Sequence, residues 1–600
     1  MIIPMHRYSF LVHYSEYTGF LDELKSLGVV HIIEHDLEPS SEMLESYRLI
    51  KDINKATDYI NKKKPSEVKA TERFSGELLL VKLNETLAAF DTSKQTLVAL
   101  RKEEKQARPW GGFSHQTINE IEASGIRIQF FTASQKRFRE EWKATYNLSI
   151  ISEQDGYVYF IVLSTNDEII EMQDADEIKV PENSMAIIRQ NILETEDEIV
   201  SFENTLSELS SYGIDVLKEY KNQLENQLSN WHATLHTADQ AEGHVKHIDG
   251  WAPKTLEPSL IEFLEKQNTL YIKSDEVQEG DKPPILLKNN RFNKLFEPIG
   301  ELFNLPSYIE LDLTPFFAPF FMMFFGFCLG DAGYGLLFIA GAIYARTKVK
   351  EKFKPLVSLV IWLGLATVLF GAITGTFFGA KLADFEVFSE FKNYFLNDQQ
   401  MFNLALIFGV IQIMLGMFVR VVNIAKASSI GYALSTMGWI LVLLSFIVFA
   451  SIDAYTGQKV WMLSSLHLVI LGVAALGIFI FNDPKRNILM NIGAGLWDTY
   501  NMITGVTGDV LSYIRLFALG LSSAILGMVF NQLAFNLSPD IIIVKQIVTA
   551  LILVLGHGLN IFMAALGSFV HPMRLTFVEF YKNAGFAGGG KAYTPFKKII

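Results

Sequence analysis

Two arginines stand inside apolar stretches of this 600-residue chain, and each needs a functional reason. Arg515 lies in the middle of residues 508–523, and Arg574 ends an apolar segment that leads into residues 570–579. An arginine at the middle of a bilayer costs at least ~2.5 kcal/mol on insertion scales, and such residues mark ion or substrate pathways. The pair therefore predicts a subunit that translocates protons or sodium ions.

Polar side chains flank the two arginines. Some precede the first arginine or follow the second, and others follow the first or precede the second. Antiparallel helices would therefore place these two sets on opposite sides of a cationic barrier. Two offset ion half-channels need this arrangement. The candidate half-channel residues are Asp509 and Glu579 on the cytoplasmic side, Ser523 and His571 on the external side, Ser512 on the helical face of Arg515, and Gln412 and His557 as further polar residues in apolar segments.

These residues also have purely structural interpretations. Arg515 could form a salt bridge with a buried acid such as Asp331. His571 and Glu579 could cap a helix or extend toward the membrane interface. The two further polar residues could satisfy hydrogen bonds between helices, and the sequence leaves these alternatives open.

Apolar segments after residue 310 predict a transmembrane domain over residues 311–600. The basic link 346–354 is expected on the cytoplasmic side, which requires two crossings before it and a break at residues 330–333. The other basic links then fall on the same side. The expectation is eight spans in the cell membrane with both termini cytoplasmic. The segments lie at 315–329, 332–346, 356–380, 401–425, 431–451, 461–481, 491–535 and 541–582.

The last two segments are too long for upright spans. A helix of 45 residues reaches roughly 67 Å at 1.5 Å per residue, whereas the hydrocarbon core is about 30 Å thick. These two helices are therefore expected to tilt, to kink or to run into the cytoplasm.

Residues 1–310 predict a cytoplasmic α/β dumbbell on an antiparallel coiled coil, so that the whole chain is mostly α. Leucines and other apolar residues recur at three- and four-residue steps in two long helical arms. An ordinary helical bundle is the alternative. The predicted parts are a proximal lobe of residues 1–40 and 246–290, arms of residues 41–107 and 183–245, and a distal lobe of residues 108–182.

Composition excludes several functions. The formal net charge of −13 argues against nucleic acid as a partner, and the single cysteine, Cys328, excludes an intramolecular disulfide. Residues 585–591 fit the start of a phosphate-binding loop, but Ala592 replaces the magnesium-binding serine or threonine. The sequence therefore predicts no ATP site, and neither a cofactor nor a metal is expected.

Several motifs resemble those of the V-type/A-type ATPase stator subunit, called subunit I in prokaryotes and subunit a in eukaryotes. The resemblance covers the whole chain. It rests on Gly-Trp-Ala-Pro at 250–253, Phe-Phe-Gly-Phe-Cys-Leu-Gly-Asp-Ala-Gly-Tyr-Gly at 324–335, Asp-Val-Leu-Ser-Tyr-Ile-Arg-Leu-Phe-Ala-Leu-Gly at 509–520, and His-Pro-Met-Arg-Leu-Thr-Phe-Val-Glu-Phe at 571–580.

The resemblance implies that Arg515 and Arg574 face a rotor ring of small membrane subunits, each with an ion-binding carboxylate. It also implies that the dumbbell holds peripheral stalk subunits of the E and G type, with a central-stalk or ring-capping subunit as a further possible partner. The chain would not hydrolyse ATP itself. Asn501 and Ala564 depart from the pattern, because eukaryotic relatives carry glutamates there, so the external path must use other groups or water.

Two other functions remain as alternatives. An ion-coupled secondary transporter would use the arginines to bind an anionic substrate, but it predicts inverted repeats, and the Arg515 segment has no second copy. A membrane tether for cytoplasmic proteins would leave two costly arginines without a purpose.

Overall fold

A computed structural model describes the chain apart from residues 35–36, 63–72, 113, 166–168, 180–182, 268, 279, 385–394, 428, 458–459, 483–484, 539–541 and 600. The middle of the link between the predicted segments 356–380 and 401–425 falls outside the described residues. The α-helices are α1 Tyr17–Leu27, α2 Ser41–Lys62, α3 Gly76–Ala107, α4 His115–Ala123, α5 Trp142–Thr145, α6 Met185–Leu235, α7 Glu257–Lys266, α8 Glu297–Glu301, α9 Thr314–Leu329, α10 Ala332–Lys348, α11 Lys354–Thr374, α12 Asp398–Ala427, α13 Ile430–Thr456, α14 Ser465–Phe479, α15 Ile488–Ser512, α16 Ile514–Asn536, α17 Ile542–Arg574 and α18 Tyr581–Asn583.

The strands lie mainly in the first half of the chain. They are β1 Met5–His13, β2 His31–Ile32, β3 Ile126–Ser134, β4 Asn147–Gln154, β5 Tyr157–Thr165, β6 Asp176–Glu177, β7 Ala238–Gln240, β8 Val245–Pro253, β9 Leu270–Ser274, β10 Thr376–Phe377 and β11 Ala380–Lys381. The chain divides into two units, the first comprising residues 1–33 and 238–596 and the second residues 34–237 and 597–600.

Long antiparallel helices form most of the second unit. Helix α6 packs against α3 along its length, and Arg101 donates to Glu196 at 2.7 Å while Arg189 donates to Glu104 at 3.1 Å. Because the residue numbers rise on one helix as they fall on the other, the two helices run antiparallel. Helix α2 adds a third helix at one end, where its apolar side chains join the same core. The rod is therefore a helix pair that widens into a three-helix bundle.

An antiparallel sheet in the order β4-β5-β3-β6 completes the second unit. Its core contains Phe131 and Phe160, whose rings stack at 5.8 Å, together with Val158 and Val162. Alternate residues of β5 are buried, which is the period expected of a strand with one covered face.

The soluble part of the first unit is a sheet in the order β2-β8-β1-β9, with β7 paired to β8. Its helix α1 buries Tyr17, Phe20, Leu21 and Leu24, which recur at helical spacing, and ends at Gly28 in the left-handed conformation with φ of 66°. Strand β1 pairs antiparallel with β8 and with β9. Residues far apart in sequence thus form one α/β lobe.

The end of the chain returns to this lobe. The backbone N–H of Ile285 donates to the Lys591 carbonyl at 2.7 Å, and that of Phe596 donates to the Val30 carbonyl at 2.7 Å. The Tyr593 hydroxyl donates to the Val29 carbonyl. The segment that follows α18 is therefore bonded along the lobe, which connects the lobe to the last membrane helix.

Within the described residues, five helices are long and apolar enough to cross a membrane. They are Glu351–Thr374, Asp398–Ala427, Ile430–Thr456, Ile488–Asn536 and Ile543–Asn583, and Thr314–Leu329 and Ser465–Phe479 are shorter apolar helices. The predicted eight spans are not confirmed by this count, and the number of spans stays a prediction.

The chain breaks between α9 and α10 as the charge pattern indicated. Gly330 ends α9 in the left-handed conformation with φ of 54°, and Asp331 caps α10 by accepting the N–H of Tyr334 at 3.1 Å. Gly326 and Gly371 pack closely here, since a Cβ on Gly371 would lie 2.0 Å from the Ala332 nitrogen. Small residues let the helices approach this closely.

Both long C-terminal helices are interrupted near the arginines. The first changes at Tyr513, between α15 and α16, two residues before Arg515. The second contains Pro572 and continues after Arg574 as a π-helix over Leu575–Phe580. A proline removes a helical N–H donor, and π-helical turns often occur at functional sites. The expected irregularity of these helices is thus concentrated at the arginines.

Candidate functional site

Helices α16 and α17 are packed against each other and run antiparallel. Asp509, just before α16, accepts from the Asn583 amide at 2.8 Å, and the Ser523 carbonyl accepts from the Asn560 amide at 3.0 Å. The Ser538 and Thr549 hydroxyls lie 2.6 Å apart at the other end. Interpolation between these contacts places Arg515 at the level of His571 and Arg574.

His571 lies at the level of both arginines and within the electrostatic range of each. Nη1 of Arg515 is buried and has no hydrogen-bond partner among the described residues. The side chain of Arg574 is 51% exposed, and its Nε lies 4.0 Å from Oε1 of Glu579, whose side chain is 2% exposed. The two arginines therefore differ, since Arg515 is partly buried and Arg574 is exposed.

The alternative pairing of Arg515 with Asp331 is wrong. The Asp331 carboxylate accepts three backbone N–H groups, from Tyr334 at 3.1 Å, Phe378 at 2.9 Å and Gly379 at 2.7 Å. Three N–H donors already stabilise the charge of this carboxylate. Asp331 is a structural residue that holds the turn between β10 and β11.

On one side of the arginines, Asp509 is engaged in an ion pair. Nζ of Lys582 lies 3.1 Å from Oδ1 of Asp509, and the Ser512 hydroxyl donates to the Gly508 carbonyl at 3.1 Å. Glu579 lies near Ser512 and Asp509 as well as Arg574. The structure thus brings Asp509 and Glu579, both predicted for this side, together with Ser512 and adds Lys582.

On the other side, a buried hydrogen-bonded network joins three helices. The Tyr334 hydroxyl lies 2.7 Å from Nδ1 of His557 and accepts from the Asn560 amide at 2.9 Å. Nε2 of His557 lies 3.1 Å from Oδ1 of Asn531, whose amide nitrogen donates to the Phe378 carbonyl at 2.7 Å. We name Tyr334, Asn531, His557 and Asn560 the polar network.

The partners in the polar network select one histidine tautomer. The amide nitrogen of Asn531 is used by a carbonyl, so its oxygen faces His557 and can only accept. Nε2 of His557 must then carry the proton, and Nδ1 accepts from the Tyr334 hydroxyl. Every donor in the network therefore has an acceptor.

The distance of the polar network from the arginines follows from helix geometry. His557 precedes Arg574 by about 17 residues on α17, or roughly 25 Å at 1.5 Å per residue. Ser523 lies between them, about 12 Å beyond Arg515 on the same scale. The network is thus on the side opposite to Glu579, together with Ser523.

Gln412 contributes to the helix interruption. Its Oε1 accepts the Tyr513 hydroxyl at 2.7 Å in a fully buried position, so it fixes the turn between α15 and α16. This contact favours the structural interpretation of Gln412, because its oxygen is occupied by the residue that orients Arg515.

Several buried polar atoms without a hydrogen-bond partner lie on the arginine-bearing helices or pack against them. Such atoms cost free energy unless water or another molecule satisfies them. Among the described residues they include Gln412 Nε2, Arg515 Nη1, Ser523 Oγ, Ser568 Oγ, His571 Nδ1 and Glu579 Oε2. These atoms are available to hydrogen-bond with water or with another molecule.

The chain is similar to known subunits of rotary ATPases. The family model described as the V-type ATPase 116kDa subunit family matches residues 147–361. V-type ATP synthase subunit I of Borreliella burgdorferi is 26% identical over 630 residues, which cover 100% of both chains. A-type ATP synthase subunit I of Methanocaldococcus jannaschii is 32% identical over 58% of this chain and 55% of its own.

The chain belongs to the V-type/A-type ATP synthase subunit I family. It is therefore a membrane subunit of a rotary ATPase, and its partners are other subunits of that complex. A crystal structure of the cytoplasmic N-terminal domain of subunit I, homolog of subunit a, of V-ATPase also aligns with this chain. The alignment has 14% sequence identity and a TM-score of 0.25, and it covers 45% of this chain and 100% of that chain. A score this low supports no argument about shared architecture.

Within this subunit I chain, the two arginine-bearing helices are the least covered. The most apolar window of Ile543–Asn583 is 11% buried and that of Ile488–Asn536 is 22% buried, whereas the other three candidate spans reach 33–39%. The exposed faces of these two helices are therefore available to lipid or to other subunits.

No group of three or more metal-ligating side chains occurs in the part of the chain that the structure describes. The glycine-rich segment 585–591 does not begin a helix. Its last residue, Lys591, accepts a backbone bond from Ile285 instead. The segment of this subunit I chain that resembles a phosphate-binding loop is thus part of the tail after α18, which is hydrogen-bonded along the α/β lobe.

Proposed function

We propose that this chain is the stator subunit of a rotary V/A-type ATPase and that Arg515 and Arg574 form the gate between two ion half-channels. The observation that carries the proposal is the alignment of two poorly covered antiparallel helices, α16 and α17, which places Arg515 at the level of His571 and Arg574. Unpartnered buried polar atoms lie on both sides of this point. A cationic barrier flanked by polar groups is what two offset half-channels require.

The chemistry of the gate follows from fixed charge. A carboxylate of the rotor ring that approaches the guanidinium groups is stabilised in its ionised form, so its pKa falls and it releases its ion. Arginine stays protonated at all physiological pH values. The same charge that promotes release therefore also repels cations that would leak directly from one half-channel to the other.

The two half-channels are assigned by the order of residues along the antiparallel helices. Glu579, Asp509 and Ser512 form the cytoplasmic side if the basic links are cytoplasmic. His571 and Ser523 begin the external side. The polar network continues it, and we propose that it replaces the glutamate that eukaryotic relatives carry at the position of Ala564.

The soluble lobes and the rod are proposed to hold the peripheral stalks against rotation. A stator must resist torque, and the pair of α3 with the 51-residue α6 is a long element with charged pairs along its surface. The bonded tail after α18 would transmit this restraint to the helix that carries Arg574.

The Arg574→Ala variant tests the gate. We expect ATP-driven ion uptake by vesicles containing the assembled complex to fall on the order of tenfold, because one of the two gate charges is lost. The loss is limited because a half-exposed charge is more screened by solvent and salt than a buried charge. Arg346→Ala removes an exposed arginine from the basic link and serves as the matched control. Uptake by Arg574→Ala at the control level would remove Arg574 from the gate.

The Tyr334→Phe variant tests the external half-channel. The substitution keeps the ring but leaves His557 Nδ1 and the Asn560 amide without their shared partner, so we expect about a tenfold loss of ion uptake. Tyr8→Phe is the control, because Tyr8 is also fully buried and its hydroxyl donates to Glu257 at 3.0 Å in the soluble lobe. Equal uptake by the two variants in equally assembled complexes would contradict the assignment.

A further inference from the structure

A groove with a cavity volume of 1050 Å³ opens beside the first turn of α11. One wall is the segment of residues 291–302, which contains α8, and the other is the start of the membrane-capable helix Glu351–Thr374. Phe569 of α17 also lines the groove. None of the gate residues takes part, so this is a second site on the chain.

The walls of the groove present large apolar side chains to the surroundings. Leu302 is 70% exposed, Leu356 58% and Trp362 40%. The Trp362 ring meets the Phe292 ring edge-on at 5.3 Å between centroids. Tryptophan is enriched at the level of lipid headgroups, where its ring is apolar and its N–H can reach water.

The rim of the groove carries four basic residues, Arg291, Lys294, Lys352 and Lys354. Three carboxylates lie there too, but two of them are engaged. Glu351 pairs with Lys354, and Glu297 accepts from the Asn289 amide at 2.9 Å.

Four cations and three carboxylates give the rim a net positive formal charge. Burial raises the pKa of the Glu297 carboxyl above its usual value. Arg291, Lys294 and Lys352 are the basic residues beside the apolar walls other than Lys354, and Glu301 is the third carboxylate.

We propose that this groove binds a diacyl phospholipid with an anionic headgroup. The basic rim would hold the phosphate, and the walls formed by Leu302, Leu356 and Trp362 would cover the acyl chains. Basic pockets between membrane helices are suited to anionic headgroups. An apolar partner helix would leave the cations unpaired, and a small soluble anion would leave the apolar walls in water.

A lipid in this groove would stabilise the gate indirectly. Phe569 lies five residues before Arg574 on α17, and its ring meets that of Phe321 of α9 edge-on at 5.7 Å. Acyl chains against Phe569 would extend this packing and restrict the movement of the arginine-bearing helix. The lipid site is independent of the proposed gate, and either can hold without the other.

Lipid retention by the intact complex tests the proposal. Complexes carrying R291Q/K294Q/K352Q would be isolated from membranes, moved into detergent and analysed for bound phosphatidylglycerol and phosphatidylcholine by native mass spectrometry. The control, R346Q/K348Q/K350Q, removes the same amount of charge from the basic link 346–354, to which Lys352 also belongs, but from residues that do not line the groove. We expect phosphatidylglycerol retained per chain to fall on the order of a hundredfold in the groove variant alone, because about 1 kcal/mol of attraction is lost for each of the three basic residues.

Fluorescence gives a readout that does not depend on charge. Phosphatidylglycerol brominated on its acyl chains should quench a component of the tryptophan emission that the Trp362→Phe variant lacks. Equal retention in the two triple variants, or quenching unchanged by Trp362→Phe, would overturn the proposal. A crosslink from position 362 to another subunit, with no quenching, would also overturn it and assign the groove to that subunit.

Discussion

The Arg515→Ala variant should lose ATP-coupled ion uptake by about a hundredfold or more while the complex still assembles. Arg515 is the more enclosed of the two gate arginines, and its buried Nη1 has no partner among the described residues, so its charge is least screened. Without it, a ring carboxylate would keep its ion on passing the gate. Removing the side chain leaves the Tyr513–Gln412 bond in place, so the helix turn should persist.

The measurement is ion uptake into vesicles that contain the purified complex, followed for H⁺ with a pH-sensitive dye and for Na⁺ with a radioactive tracer. Arg515→Lys is a second variant, since it keeps a charge but loses the planar guanidinium. Arg346→Ala again serves as the control. Coupled uptake by Arg515→Ala at the control rate would refute the gate.

The Asp331→Ala variant should fail to accumulate as assembled complex. Its three backbone N–H partners would be left without an acceptor in a site that is 1% exposed, and each such loss costs about 1–3 kcal/mol. The sum is on the order of 5 kcal/mol, which is comparable to the stability of a domain. Phe378, held by one of these bonds, has a positive φ of 47° and would be free to relax.

The amount of the chain in membranes and the melting temperature of the isolated complex report this loss. Asp453→Ala is the control, because Asp453 also accepts two backbone N–H groups, from Trp461 at 2.9 Å and Met462 at 3.1 Å, but in a less buried position. A normal amount of stable complex with Asp331→Ala would show that the turn does not depend on this carboxylate.

Asp331 and the proposed external half-channel are connected through the turn between β10 and β11. The Phe378 backbone donates to Asp331 and accepts from Asn531, and the Phe378 ring meets the Tyr334 ring edge-on at 5.6 Å. A carboxylate that the sequence offered as a partner for Arg515 thus positions the polar network. A weaker variant, Asp331→Asn, is expected to lower uptake and stability together.

Part of the fold could be predicted because local rules decide it. Helix α1 ends at Gly28 because glycine adopts the left-handed conformation without strain, and the spacing of Phe20 and Leu24 defines its buried face. The break at Gly330 and Asp331 followed from charge alone. These features depend on residues within one or two helical turns.

The polar network could not be predicted in the same way. Tyr334 and His557 are separated by 223 residues, and nothing in either segment indicates the other. The only local signal for Asn531 is that it is an asparagine in an apolar segment, on the same helix as Ser523. That signal does not indicate which residue it contacts. The pair of Asp509 with Lys582 was missed because a lysine after an apolar segment is usually only a flanking charge.

The sequence by itself determined that this chain has a polar first half, an apolar second half and two arginines within apolar segments, since hydropathy and charge are properties of single segments. Only the tertiary structure decided which polar atoms face each other. It placed Asp331 on backbone amides, Gln412 on Tyr513 and Asp509 on Lys582. Helical periodicity fixes the direction of a side chain on its own helix, but the partner it meets depends on how distant helices pack.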